Sequence, residues 1–76
     1  MFEKKFVLKS IRDCFDRYNT VATKDYHPTV IATARAREVG EITIYVEFLF
    51  ETDEISINTY DLFYGLINRM YYKAIV

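Results

Sequence analysis

The 76-residue chain has only one cysteine, one proline, one histidine and two glycines, and it has no tryptophan. The lone Cys14 excludes an internal disulfide, and nothing resembles a signal peptide, so we expect a reducing, cytoplasmic setting. So little glycine and proline predicts no disordered tail or linker, and residues 1–76 are expected to form a single domain. No apolar run approaches the roughly 20 residues that a membrane-spanning helix needs.

Motifs that carry chemistry are also missing. The sequence contains no glycine-rich phosphate loop, no paired-cysteine metal spacing and no serine-centred catalytic motif. Glu51, Asp53 and Glu54 are too few and too irregularly placed for a calcium loop. A nucleophilic pair with His27 would need an exposed Cys14, whereas Cys14 lies on an apolar stripe. The sequence therefore predicts a protein that is not an enzyme and holds no metal or cofactor.

What the sequence has in excess is apolar and aromatic side chains: 51% of its residues are hydrophobic, with six Phe and seven Tyr. In residues 41–50 these side chains alternate, because Ile42, Ile44 and Val46 fall on one side and Thr43 and Tyr45 on the other. A period of two, rich in β-branched and aromatic residues, is typical of a half-buried β-strand.

Residues 29–37 show the same alternation and predict a neighbouring strand. A three-residue loop ending at Gly40, with positive φ at the glycine, would pair Arg37 with Glu41 and Ala36 with Ile42. A loop one residue shorter would reverse the faces of the strand. Turn chemistry and hydrophobic pattern thus agree on an antiparallel hairpin.

Two amphipathic helices are predicted to flank the strands, over residues 4–18 and 59–75, the second with Asn58 as N-cap. A short third strand is expected at residues 55–57, and residues 20–24 are a possible fourth. The predicted fold class is α+β: a small α-β-β-β-α domain whose antiparallel meander has both helices packed on one face. Double-stranded-RNA-binding domains share this order, but the basic cluster that they carry at the second helix is replaced here by residues 58–61, which are uncharged or acidic.

The second helix has a wider apolar arc than one sheet face needs. Leu62 and Tyr72 lie outside that arc, Leu66 lies within it, and Leu49 is predicted on the outer sheet face. Apolar surface left over on a small protein usually marks an association site, and a two-fold homodimer is the commonest result. The predicted function is a non-enzymatic protein-interaction module that forms a homodimer, docks on a larger protein as an accessory factor, or does both.

The charges refine the expected partner. The net charge is −1, yet residues 38–61 carry seven acidic side chains and no Lys or Arg, which favours a partner with a basic surface. The alternative function is nucleic-acid binding through Arg35, Arg37 and Tyr45 on the outer sheet face. The abundance of Phe, Tyr, Ile, Lys and Asn suggests an AT-rich genome, and hence a bacterial or bacteriophage accessory protein.

Overall fold

A computed structural model describes residues 3–75 and contains three helices and, within that range, no strand. The helices are α1 (Lys4–Val21), α2 (Pro28–Glu51) and α3 (Ile57–Ile75). The connecting loops are short, so consecutive helices run antiparallel and α1 runs parallel to α3. The long helix α2 packs against both of the others. The predicted α+β meander is wrong, and the protein is an all-helical three-helix domain.

Helix α1 confirms the first predicted helix, although it continues to Val21, three residues past the predicted end at Tyr18. Its buried residues Val7, Ile11, Cys14 and Tyr18 are spaced by four, three and four positions and form one stripe. Such a stripe belongs to a helix that packs on a single neighbour and exposes its other side to water. Asn19, the first residue after the predicted range, lies inside the last turn of the helix.

Helix α2 replaces the two central strands that the sequence predicted. Its buried residues recur at helical spacing, and they are Val39, Ile42, Val46 and Leu49. Because α2 touches a helix on either side, it carries apolar groups around much of its circumference, and this obscures the 3.6-residue period. The alternation of Ile42, Ile44 and Val46 is a coincidence, since Ile42 and Val46 are buried whereas Ile44 is 68% exposed on the opposite side of the helix.

The hairpin register is overturned with the strands. Gly40 lies within α2, and no glycine of the described chain has a positive φ. Arg37 and Glu41, which were expected to face each other across two strands, are one helical turn apart. No hairpin turn exists at residues 38–40.

The two loops confirm some local predictions and correct others. His27 is extended, at φ −58° and ψ 141°, as expected for a residue before proline, and its Nδ1 accepts a hydrogen bond from the Thr29 amide. Residues 20–24 form the end of α1 and a turn, not a fourth strand. Ser56, rather than Asn58, caps α3 by accepting a hydrogen bond from the Thr59 amide. Because α3 begins at Ile57, the third strand predicted at residues 55–57 is absent.

One hydrophobic core joins the three helices. The α2 residues Val39, Ile42, Val46 and Leu49 lie between the buried stripe of α1 and Ile67, Met70 and Ala74 of α3. A direct link between α1 and α3 comes from the Tyr18 hydroxyl, which donates to the Met70 carbonyl at 2.6 Å. None of the three helices, in the part of the chain described, has the length and hydrophobicity that crossing a membrane requires.

Candidate interaction site

An open groove lies between the C-terminal halves of α1 and α3. It has a volume of about 690 Å³ and a mostly apolar lining. We call it the α1/α3 groove, and its lining residues are Phe15, Tyr18, Asn19, Leu66, Arg69, Met70, Tyr72 and Lys73. The groove follows from the fold, because α1 and α3 both pack against α2 and contact each other mainly through side chains.

Helical spacing supplies the two walls of the groove. On α1, Phe15 and Asn19 are four residues apart and share one side, while Tyr18 turns into the core. On α3, Leu66 and Lys73 are seven residues apart and again share one side. The regular positions of these side chains make the groove a property of two rigid elements rather than of a loop.

The charges along the groove are all of one sign. Arg69 and Lys73 are its only charged lining residues, and neither forms an ion pair within residues 3–75. Farther along α1, Lys5, Lys9 and Arg12 surround the exposed Leu8. An apolar channel bordered only by cations favours an apolar ligand that carries negative charge.

The structure brings together part of the apolar set that the sequence assigned to the second helix. Leu66 and Tyr72 line the α1/α3 groove, and Tyr72 is 66% exposed. Leu62 lies one turn before Leu66 and is 76% exposed, the largest exposure among the described large apolar side chains. The contribution of Phe15, Arg69 and Lys73 was missed. The spacing of Leu62, Leu66, Arg69 and Lys73, by four, three and four residues, was the available signal.

The other predicted site residues do not share a surface. Leu49, expected on an outer sheet face, is fully buried in the core, and Tyr45 packs half-buried against that core. The Arg35 side chain lies over the Tyr18 ring at 4.3 Å and donates to the Tyr18 carbonyl. Arg37 is exposed on α2. The nucleic-acid platform postulated on a sheet therefore has no sheet to form it.

A charged cluster lies between α1 and α2, on a different side from the groove. Arg17 donates to both carboxylate oxygens of Glu38 and to one oxygen of Glu41, at 3.0–3.3 Å. The Cys14 thiol, fully buried, donates to the same Glu41 carboxylate at 3.4 Å. Burial, together with this bond, raises the pKa of Cys14 to about 12.

Cys14, Glu38 and Glu41 place their ligand atoms within 4.8 Å of one another, a spacing that a metal ion could bridge. The guanidinium of Arg17 already bonds to all three side chains. A second positive charge would have to displace it, so the cluster is a closed contact between two helices rather than a metal site.

A second polar cluster joins α2 to α3. The hydroxyls of Tyr60 and Tyr64 both donate to the same oxygen of Glu47, and the Tyr60 ring packs on Phe50 at 4.2 Å. The two hydroxyls lower the pKa of Glu47, and the carboxylate in turn raises the pKa of both tyrosines. The arrangement ties α3 to α2 through one carboxylate oxygen of Glu47.

Comparison of the chain with protein-family models, with curated proteins and with solved structures finds no match.

Proposed function

We propose that the protein is a non-enzymatic interaction module that docks on a larger protein by holding an acidic amphipathic helix in the α1/α3 groove. One observation carries this proposal: the groove is apolar along its lining, and its two charged lining residues, Arg69 and Lys73, are both cationic. The predicted role as an accessory factor in the cytoplasm fits such a module.

A helix is the occupant that suits the shape of the groove. Two parallel helices that pack on a shared core leave a channel between them into which another helix can pack, as in a four-helix bundle. Recognition of this kind uses apolar anchors at positions i, i+3 or i+4, and i+7 of the bound helix. Phe15, Leu66 and Met70 offer the matching apolar surface.

The sign of the partner's charge follows from the flanks of the groove. Carboxylates beside the anchors would approach Arg69 and Lys73 on one wall and Arg12 beyond the other. This proposal replaces the basic partner that the acidic segment 38–61 favoured, because three acids of that segment, Glu38, Glu41 and Glu47, already hold partners within the chain.

The chemistry of the two most reactive side chains supports a non-enzymatic role. Cys14 is buried and bonded to Glu41, and a thiol whose pKa is about 12 is a poor nucleophile at neutral pH. His27 serves as the N-cap of α2. Neither group faces the α1/α3 groove.

Binding of two designed peptides tests the proposal. Both are helical with leucines at i, i+3, i+4 and i+7, and they differ only in having Glu or Lys on the flanks. We expect the acidic peptide to bind and to shift the NMR signals of Phe15, Met70 and Tyr72, while the basic peptide does not bind. Equal affinity for both peptides, or shifts confined to residues outside the groove, would overturn the proposal.

Variants of α3 give the matched control. Arg69→Glu reverses one flanking charge and is expected to raise the dissociation constant of the acidic peptide by about tenfold or more. Ile57→Glu changes an exposed residue outside the groove lining and should leave binding unchanged. A single-stranded oligonucleotide serves as a third probe. Its binding at Arg69 in place of the peptide would support nucleic-acid binding and contradict the proposal.

A further inference from the structure

We infer that a second copy of this chain docks against the solvent-facing stripe of α2, with the two α2 helices antiparallel about a two-fold axis. The stripe consists of Thr33, Arg37, Gly40, Ile44 and Glu51, and it lies on the side of α2 opposite its buried residues. This inference goes beyond the proposed function and does not depend on it, since none of these residues lines the α1/α3 groove.

Shape complementarity is the first argument. Ile44 is 68% exposed, which leaves a β-branched apolar side chain in water in the middle of a helix. One turn away, Gly40 is exposed, and a methyl group added there would meet nothing within 4 Å. An apolar projection thus lies beside an indentation on the same helix face.

Antiparallel pairing matches the two features to each other. If Gly40 of each copy faces Ile44 of the other, each isoleucine fills the indentation at Gly40 of the other copy. A two-fold interface requires this reciprocal contact. The absent side chain at Gly40 also lets the helix axes approach closely. A single register satisfies both contacts.

The charges provide an independent argument in the same register. Arg37 then lies within one helical turn of Glu51 of the second copy, next to Glu47 of that copy, which already accepts two tyrosine hydroxyls of its own α3. Arg37 and Glu51 are both exposed, and neither forms an ion pair within residues 3–75. Each copy therefore presents a cation at one end of the stripe and an anion at the other, so the stripe is complementary to its own two-fold image.

Sedimentation over a dilution series tests the inference. Contact between two helices buries a small area, so we expect a weak dimer that dissociates on dilution. Ile44→Glu should raise the dissociation constant by about tenfold or more, because it places a carboxylate against Gly40 of the other copy. A wild-type chain that stays monomeric at millimolar concentration would overturn the inference.

Charge exchange identifies the register. Arg37→Glu alone and Glu51→Arg alone should each weaken the dimer, because each brings like charges at positions 37 and 51 together across the two-fold axis. An equimolar mixture of these two variants should associate more tightly than either variant alone, since the introduced carboxylate of one then lies near the introduced guanidinium of the other, and Arg37 and Glu51 still pair on the opposite side of the axis. Failure of the mixture to associate, with circular dichroism showing both variants folded, would contradict the antiparallel pairing.

Two further variants separate this surface from α3. Gly40→Leu fills the indentation without a clash inside the monomer and should abolish the dimer. Leu62→Glu changes one of the exposed apolar residues that the sequence pattern assigned to an association surface, and it should leave the dimer intact. Loss of the dimer in Leu62→Glu but not in Gly40→Leu would transfer the interface to α3 and refute the inference.

Discussion

Glu47 receives two tyrosine hydroxyls on one carboxylate oxygen, and this makes its ionisation part of the α2–α3 contact. The folded protein lowers the pKa of Glu47 relative to the unfolded chain. A depressed carboxylate pKa contributes stability that is present above the ordinary Glu range and is lost as the pH falls through the folded value. The cluster therefore stabilises the protein at neutral pH and not in acid.

Removal of one hydroxyl tests this coupling. Tyr64→Phe should lower the urea midpoint at about pH 7, and this loss relative to wild type should be smaller at an acid pH below the lowered pKa of Glu47, where the carboxylate is protonated in both the folded and the unfolded state. Tyr71→Phe, at an exposed position on the same helix, is the control and should show no pH-dependent deficit. A Tyr64→Phe deficit of equal size at both pH values would contradict the role assigned to Glu47.

Cys14 gives a second prediction at the scale of one residue. Its thiol is buried, and its pKa of about 12 keeps it protonated at neutral pH, so a thiol reagent should react only after urea unfolds the chain. A Lys9→Cys variant places a second thiol on the exposed side of α1 and should react with one equivalent at once. Rapid loss of the wild-type thiol in the folded protein would show that Cys14 is accessible.

Gly40 distinguishes a helix from a hairpin at the scale of the element. In the structure its φ is negative and its surroundings are open, so Gly40→Ala should stabilise the dilute, monomeric protein by about 0.5–1 kcal/mol through helix propensity. In a hairpin that needs a glycine with positive φ, the same substitution would instead lower the stability of the protein. Thermal unfolding, followed by circular dichroism, distinguishes the helix from the hairpin at Gly40. Gly65→Ala in α3 is the matched control.

Leu49 provides the complementary element-scale prediction. It is fully buried in α2, so Leu49→Ala should cost about 2–5 kcal/mol of unfolding free energy. Leu62→Ala, at a residue that is 76% exposed, should change stability by no more than about 0.5 kcal/mol. Urea unfolding of both variants measures the difference, and equal effects would remove Leu49 from the core.

The contrast between α1 and α2 shows how far periodicity could predict this fold. The sequence located α1 because it packs on one neighbour, so Val7, Ile11 and Cys14 stand out against charged residues. It mistook α2 for two strands because a helix between two others has no fully polar side. Knowing that Ile44 is exposed and Leu49 buried requires the positions of α1 and α3, which no local pattern contains.

At the scale of the whole molecule, the two proposed surfaces lie on different sides. The α1/α3 groove opens between the outer helices, and the dimer stripe lies on the far side of α2. The pattern of the last predicted helix placed Leu66 within its apolar arc and Leu62 and Tyr72 outside it. The sequence pattern indicated these three residues. It could not place Phe15 beside Arg69, because residues so distant in sequence meet only through the tertiary fold.

The central place of α2 also determines how quickly the chain reaches its native state. Each helix packs on the next one in sequence, so most native contacts form between neighbouring segments and little loop entropy is lost before they form. Stopped-flow or temperature-jump relaxation should therefore detect refolding within microseconds to milliseconds. The hydrogen bond from Tyr18 to Met70, which links the two ends of the chain, should close late, so Tyr18→Phe should accelerate unfolding while leaving the refolding rate nearly unchanged.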